Sequence, residues 1–436
     1  MTLPAIFLGL SVTASLLRLM SPLQALILCT PIMIDVGGDS ALNGSVADFW
    51  IGVLFFQAIT DRRFRNELLG HLVPWLLLVV PYCIGGYLIW DFLLDGGVLE
   101  GRWLIDSAKI VVVITTAATT FTCFRFSRSE LEKLSATWAA TSVAVAGLAL
   151  FQVLALGEVR ATSSFNDPNL LGAYLTISLG IASTLQNKAL GVIAAASSCA
   201  GIAATGSRGA LAAALVLILL MLLTAPIRLS YRIGLVFILA TGGRALWPRL
   251  ETLAPVQRLE SSVGVATQDI RAAIWSFYLR NFQTLPVFGA GPGQSANAAG
   301  EYVGFGGPVE AHNTYLQILA DWGIAGTLLL TLPVIRMLLR STTIQELLAN
   351  RRIVYVTAAV SVSSLTISLH NSRMVVVALA LAVAHTVQRR RAHDPVDIGH
   401  DCGRAPMIPH RRDAGRSRSD RKGFHQTRRR TFGLSA

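Results

Sequence analysis

Charge is scarce in this sequence. Acidic and basic residues make up 14% of the 436 residues, while apolar residues make up 53% and mean hydropathy reaches +0.55. A soluble domain carries about 25% charged residues, and each of its surface helices needs a polar face. Most apolar runs here have none, which excludes an ordinary water-soluble domain. Paired carboxylates within the apolar runs are missing too: Asp321 is the main acidic residue of a late run, and Asp106 lies near the start of another. A proton-coupled carrier would need buried acids near mid-membrane. The five cysteines, Cys29, Cys83, Cys123, Cys199 and Cys402, have neither zinc-ligand spacing nor the pattern of a disulfide framework. No cleavage signature follows the first apolar run, so that run is read as structure. Neither a soluble domain nor an internal repeat is evident.

What the chain does have is a series of long apolar runs. A bilayer core of about 30 Å needs roughly 20 apolar residues as helix, fewer inside a bundle. Runs that qualify lie near 72–92, 103–123, 136–156, 170–185, 189–206, 209–224, 232–248, 313–338, 353–369 and 373–388. Shorter ones lie at 4–17, 22–35 and 48–60. The expected fold is all-α, a polytopic transmembrane helical bundle of about 12 spans with one long outer-face loop carrying amphipathic helices.

Basic residues set the expected orientation, because cytoplasmic loops collect Lys and Arg. Arg62, Arg63 and Arg65 share one loop, and Arg125, Arg128 and Lys133 share another two spans later. Lys188, then Arg228 with Arg232, then Arg340 with Arg351 and Arg352 keep the alternation. From Arg389 onward there are thirteen Arg and Lys against five Asp, so +8 of the total net charge of +12 sits in this tail. Residues 389–436 are therefore expected to form a basic, disordered cytoplasmic tail that touches anionic lipid; membrane lipids are expected partners and nucleic acid is not. The bundle, 1–388, is expected to expose Gly157–Asn169, the turn at Arg208, the loop 249–312 and the turn at His370 on the opposite side.

Loop 249–312 is too long to be structureless in a compact protein. Arg271, Trp275, Tyr278 and Phe282 recur at helical spacing, which predicts one or two interfacial helices. A flexible Gly- and Pro-rich section is expected from Pro286 to Pro308. Arg280 lies about 180° around that helix from Arg271 and is expected to face headgroups or water.

Three residues on the expected outer side carry chemistry. Arg208, in Thr205-Gly206-Ser207-Arg208-Gly209-Ala210, opens an apolar run. It is either a snorkelling arginine or, with glycine beside it at a helix start, a bidentate grip on phosphate. Arg271 opens the amphipathic stretch, where it is either a solvated face or a second phosphate contact. His312, in Glu310-Ala311-His312-Asn313-Thr314-Tyr315, stands where the loop re-enters the membrane. An imidazole there can act as base or donor, or it can simply cap the following helix. His370 is its rival on the same side.

Two other segments imitate familiar motifs. Gly289-Ala290-Gly291-Pro292-Gly293 lacks the preceding strand of a dinucleotide site. Asn166-Asp167-Pro168-Asn169 reads as a turn with a helix cap in preference to a metal site.

At these residues the sequence resembles the O-antigen ligase and polymerase superfamily of bacterial envelope glycosyltransferases. The matching pieces are Ser164-Phe165-Asn166-Asp167-Pro168-Asn169 with Gly172 and Tyr174, then Thr205 to Ala210, then Arg271 with Trp275. Pro286 to Gly293 and His312 to Tyr315, followed by Gly323 and Gly326, complete the set in the family's order. The resemblance implies a metal-independent glycosyltransferase of the bacterial inner membrane. It would move a glycan from an undecaprenyl-diphosphate-linked donor to a lipid or saccharide acceptor at the outer face, with no cofactor and no metal. Arg208 and Arg271 would then hold the diphosphate, and His312 would work near the acceptor hydroxyl or the diphosphate. Asn169, Tyr174, Asn313 and Tyr315 are implied substrate contacts. Ligases, polymerases and protein oligosaccharyltransferases share this layout. The alternative from a different class is a transporter or flippase of a lipid-linked or anionic substrate.

Overall fold

The computed structural model describes residues 3–34, 44–87, 101–124, 128–224, 267–304, 307–341, 349–369 and 372–393, with isolated positions at 241, 244 and 345. The expected span at 232–248, His370 and the tail beyond residue 393 lie outside the described residues, apart from positions 241 and 244. Described residues are helical except for turns and one two-residue antiparallel pairing.

The first helices are α1 (Leu3–Leu16) and α2 (Pro22–Cys29), followed by β1 (Met33–Ile34) and β2 (Gly44–Ser45). Then come α3 (Val46–Thr60), α4 (Arg62–Tyr87), α5 (Gly101–Cys123) and α6 (Arg128–Leu154). The central group is α7 (Pro168–Ala182), α8 (Lys188–Ala204) and α9 (Arg208–Thr224). Two shorter elements, α10 (Thr267–Thr284) and α11 (Gln294–Tyr302), precede α12 (Thr314–Ser341), α13 (Arg351–Ser364) and α14 (Arg373–His393).

Most expected apolar runs coincide with these helices, but two details differ. The run 22–35 is helical only over eight residues, because Thr30 and Pro31 turn the chain into β1. By length and composition, Phe64–Gly85, Arg128–Leu154 and Thr314–Leu332 can each cross a bilayer alone; α5 and α14 run to 23 and 21 residues, and the apolar helices α1, α3, α7, α8 and α9 to 14–17. At 1.5 Å per residue, helices of that length fall short of a core of about 30 Å. Among the described residues three helices meet that measure, and the expected count of about 12 spans is not confirmed. Leu77, Val192 and Leu215 stay exposed on the helices, as lipid-facing side chains do.

Lipid tails are as apolar as leucine, so helices in a membrane associate through close packing of small residues and through hydrogen bonds. The core here follows that rule. Every residue of α7 from Leu171 to Ala182 is buried, and a Cβ on Gly172 would lie 2.4 Å from that of Ala210 on α9. One end of the bundle is closed by a buried polar clamp. Arg352, at the start of α13, is 4% exposed. Its guanidinium donates to Thr184 Oγ1 at 2.8 Å, Thr184 O at 2.9 Å, Ser135 Oγ at 3.0 Å and Glu132 Oε1 at 3.2 Å, and it touches His385. Arg352 is thus a buried tie between α6, α7, α13 and α14, where the sequence suggested a loop cation.

The Gly- and Pro-rich section expected to be a flexible loop is instead wrapped around α12. That helix breaks at Gly323, with φ 58° and ψ −169°, a conformation close to glycine-only. The break frees backbone groups, and the loop satisfies them. Ala290 N donates to Ala320 O at 2.8 Å and Gly291 N to Asp321 O at 2.9 Å. Ile324 N donates to Pro286 O, and Ala325 N to Val287 O, both at 2.9 Å. Such an approach leaves no room for side chains: a Cβ on Gly323 would meet Val287 O at 2.4 Å, and one on Gly289 would meet Gly323 N at 2.5 Å. Tyr82 on α4 stacks on Trp322 at 5.7 Å and its hydroxyl reaches Phe288 O at 2.8 Å, locking loop and break to the bundle.

Gly323→Ala is expected to destabilise the protein by about 2–3 kcal/mol through backbone strain and the clash. Gly147, whose Cβ would meet nothing within 4 Å, should accept alanine without loss. Thermal unfolding of the purified variants in detergent checks both; equal melting temperatures for Gly323→Ala and wild type would contradict the wrap.

Candidate functional site at the open end of the bundle

The end opposite the Arg352 clamp collects the starts of α7, α9, α12 and α14 and the end of α13. Asp167 caps α7 by accepting from Asn169 N at 2.6 Å, the turn-and-cap role read from the sequence. Asn169 then faces α9. Its Oδ1 accepts from Ser207 Oγ at 2.9 Å and from Arg160 Nη2 at 3.1 Å, while Arg160 Nε donates to Thr205 O at 3.1 Å. One amide oxygen and one guanidinium thereby join the 157–169 loop to the start of α9.

Arg208 is the first residue of α9 and is exposed. The glycine after it allows close contact with the turn beyond α13, since a Cβ on Gly209 would lie 2.5 Å from Thr366 Cβ. That turn is bound in turn to α12. Thr314 Oγ1 donates to Ile367 O at 2.7 Å and accepts from Leu369 N at 2.7 Å. Two residues before Thr314 is His312, half-buried and held at φ 48°. Asn313, rather than His312, caps α12, accepting from Tyr315 N at 3.1 Å and Leu316 N at 3.2 Å. The imidazole is left available to the site.

Arg271 comes from the other side. Helix α10 lies against the segment leading into His312: Trp275 Nε1 donates to Ala311 O at 2.8 Å and Tyr278 hydroxyl to Val309 O at 2.9 Å. Arg271 is exposed and one turn before Trp275 on the same helical face. Arg280 is exposed, donates to Tyr302 hydroxyl at 2.7 Å and lies over that ring at 5.3 Å. It holds α11 to α10 while keeping the exposed position expected of it.

His312 opens onto a cavity of about 260 Å³. Asn166, Asp167, Lys109, Glu310, Ser368 and Arg373 are among its walls; Arg208 and Arg271 are not. The site thus has two parts, a cavity around the imidazole and two exposed guanidiniums on the flanking helices α9 and α10.

Two implied substrate contacts have other positions. Tyr174 is 0% exposed, stacked on Trp138 at 5.5 Å and tilted against Phe165 at 5.4 Å; it is core, because the apolar ring is worth more packed in the bundle centre than at its mouth. Tyr315 donates to Ser361 O at 3.1 Å and straps α12 to α13, its ring remaining exposed. Asn169 and Asn313 sit at the site end with their carbonyl oxygens already engaged, as positioning groups.

Sequence reading passed over Arg160, Lys109, Glu310 and Arg373. Arg160 carried the same signal as Arg208, an arginine where the loop-charge rule disfavours one. Lys109 was a lone cation inside an apolar run, the kind of position at which a functional role is worth testing.

The molecule is therefore a helical membrane protein with a polar cavity at one end of its bundle. Residues 193–331 match the family described as O-antigen ligase, and Arg208, Arg271 and His312 all fall inside that segment. The resemblance seen in the motifs is shown there. No curated protein matches the chain.

Tyr174→Phe is expected to fold and function as wild type, since the hydroxyl has no partner among the described residues. Asn169→Ala should cost about 1–3 kcal/mol, because it strips partners from partly buried groups on Arg160 and Ser207. Melting temperatures together with a glycan-transfer assay separate the two; a dead Tyr174→Phe enzyme with normal stability would return that residue to the substrate.

Proposed function

We propose that the chain transfers a glycan from an undecaprenyl-diphosphate-linked donor to a lipid or saccharide acceptor at the outer face of the bacterial inner membrane. The observation that supports this reading is that contacts between their elements set Arg208, Arg271 and His312, all from the family-matched segment, at one end of the bundle. In this reading the His312 end faces outward and the basic tail is cytoplasmic, as the loop charges require.

The chemistry follows from charge. An acceptor hydroxyl attacks the anomeric carbon of the donor glycan, a new C–O bond forms, and the old C–O bond to the diphosphate breaks. Polyprenyl diphosphate leaves carrying the electron pair. Arg208 and Arg271 stabilise the negative charge that builds on it, as fixed donors aimed at developing charge do. His312 takes the proton of the acceptor hydroxyl. The lipid tail stays among the helices while the glycan extends into water. The activated bond is already in the donor, so the reading needs neither nucleotide nor metal.

A transporter or flippase is the second reading. It draws on the broken helix α12, since interrupted helices mark transporter sites. The break is filled by the chain's own 286–291 backbone, which favours a structural role for it.

Arg208→Ala, Arg271→Ala and His312→Ala should each lower glycan transfer by about 100-fold or more, the scale of losing one transition-state donor. Membrane insertion and melting temperature should stay near wild type. Arg208→Lys should restore little, because an ammonium cannot form the bidentate fork. Normal surface polysaccharide in all three alanine variants would remove the assignment, and a parallel His370→Ala variant tests whether that histidine holds the role instead.

A further inference from the structure

Asp321 is the main acidic residue of a late apolar run, and the transfer chemistry does not use it. It is 2% exposed, and a carboxylate so deep in a membrane bundle is costly unless it serves something. Its Oδ1 accepts from Ser295 N at 3.1 Å, at the start of α11. That helix has Gly293 at its N-cap and no side-chain cap of its own. The carboxylate supplies the cap from α12, and the helix dipole favours its charge. Its Oδ2 accepts from Gln317 Nε2 at 2.7 Å. Gln317, also buried, passes the constraint on, because its Oε1 accepts from Ala311 N at 3.0 Å.

The relay therefore ends on the residue before His312. Trp275 holds the same residue by its other side, donating to Ala311 O at 2.8 Å. His312 itself stands at φ 48°, a left-handed conformation that a residue with a side chain keeps only where its surroundings over-determine it. On its far side Asn313 caps α12, and Thr314 accepts from Leu369 N. The backbone is thus fixed before and after the imidazole.

The ends of the relay dictate its composition. Ser295 N and Ala311 N can only donate. Between two donors, one carboxylate and one amide match at every contact: the carboxylate accepts twice, and the amide turns its nitrogen to the carboxylate and its oxygen to Ala311. Two amides would leave a donor facing a donor somewhere along the line, however they were turned. We infer that Asp321 is a positioning residue for His312, acting through the Gln317 amide to hold the Ala311 peptide and with it the imidazole. The hold on His312 stands on these contacts alone; its consequence for turnover rests on the transfer reading above. The relay needs one charge, and by the same matching it works with that charge at either 317 or 321.

The test uses full-length protein in nanodiscs, isotope-labelled at histidine, with the His312 ring resonance assigned by its loss in His312→Gln. Asp321→Asn and Gln317→Met should each shift or broaden that resonance. Each should also lower kcat for glycan transfer by about 100-fold, the scale of a misplaced catalytic group. The donor KM should stay near wild type, since Arg208 and Arg271 are untouched. Combining Asp321→Asn with Gln317→Glu moves the carboxylate one turn along α12; the resonance should return to its wild-type position and most of the lost kcat should be regained. A role limited to capping α11 would leave the resonance in place in Gln317→Met. An unmoved resonance in either folded single variant, or a double variant no better than Asp321→Asn, overturns the relay. Melting temperatures report folding; should Asp321→Asn not fold, Gln317→Met and the double variant, each against wild type, decide. Wild-type protein that transfers no glycan while the resonances behave as expected would instead overturn the transfer reading and leave the relay standing.

Discussion

The hydroxyl of Thr314 holds the site together. It donates to Ile367 O and accepts from Leu369 N, each at 2.7 Å, so a single side chain pairs two backbone groups of a turn that has left its helix. In a membrane protein the interior offers little water for such groups, and each must find a partner within the protein. By solving that problem, Thr314 fixes the start of α12 against the turn beyond α13. The same turn receives Gly209 and so fixes the start of α9. The positions of His312 and Arg208 follow from this one bridge.

A second constraint of the same kind shapes the neighbouring loop. The break at Gly323 exposes donors and acceptors on both sides, and the segment from Pro286 to Gly291 supplies their counterparts in sequence. Closeness of backbone to backbone is what demands glycine at 289 and 323. The loop then leads through α11, which Arg280 pins to α10 via Tyr302, and α10 in turn grips Ala311 through Trp275. Glycines that look like a nucleotide turn in the sequence are part of the scaffold beneath the histidine.

The placement of helices was legible in the sequence because long apolar runs admit one structure in a bilayer. Their number as full spans was not, since hydropathy cannot show that α2 ends after eight residues or how far short helices are supported by neighbours. Among the site residues, Arg208, Arg271 and His312 stood out by charge at unexpected positions. Tyr174 was misread because a tyrosine in a motif looks the same whether its ring is at a mouth or, as here, between Trp138 and Phe165. The cavity was invisible beforehand, because its walls come from segments spread from Thr30 to Met374.

The family match covers residues 193–331 and holds both guanidiniums and the imidazole, while the cavity walls lie mostly outside it. In the proposed transfer, the matched segment holds both the groups that would stabilise the leaving diphosphate and the one that would take the acceptor's proton. The claim beneath both roles is that a covalent bond changes hands at this mouth. Mass analysis of wild-type protein incubated in nanodiscs with a defined polyprenyl-diphosphate oligosaccharide and cell-envelope acceptor lipids addresses it directly. The account predicts a new glycosidic product together with stoichiometric polyprenyl diphosphate. Donor recovered intact, merely moved to the opposite leaflet, would contradict it.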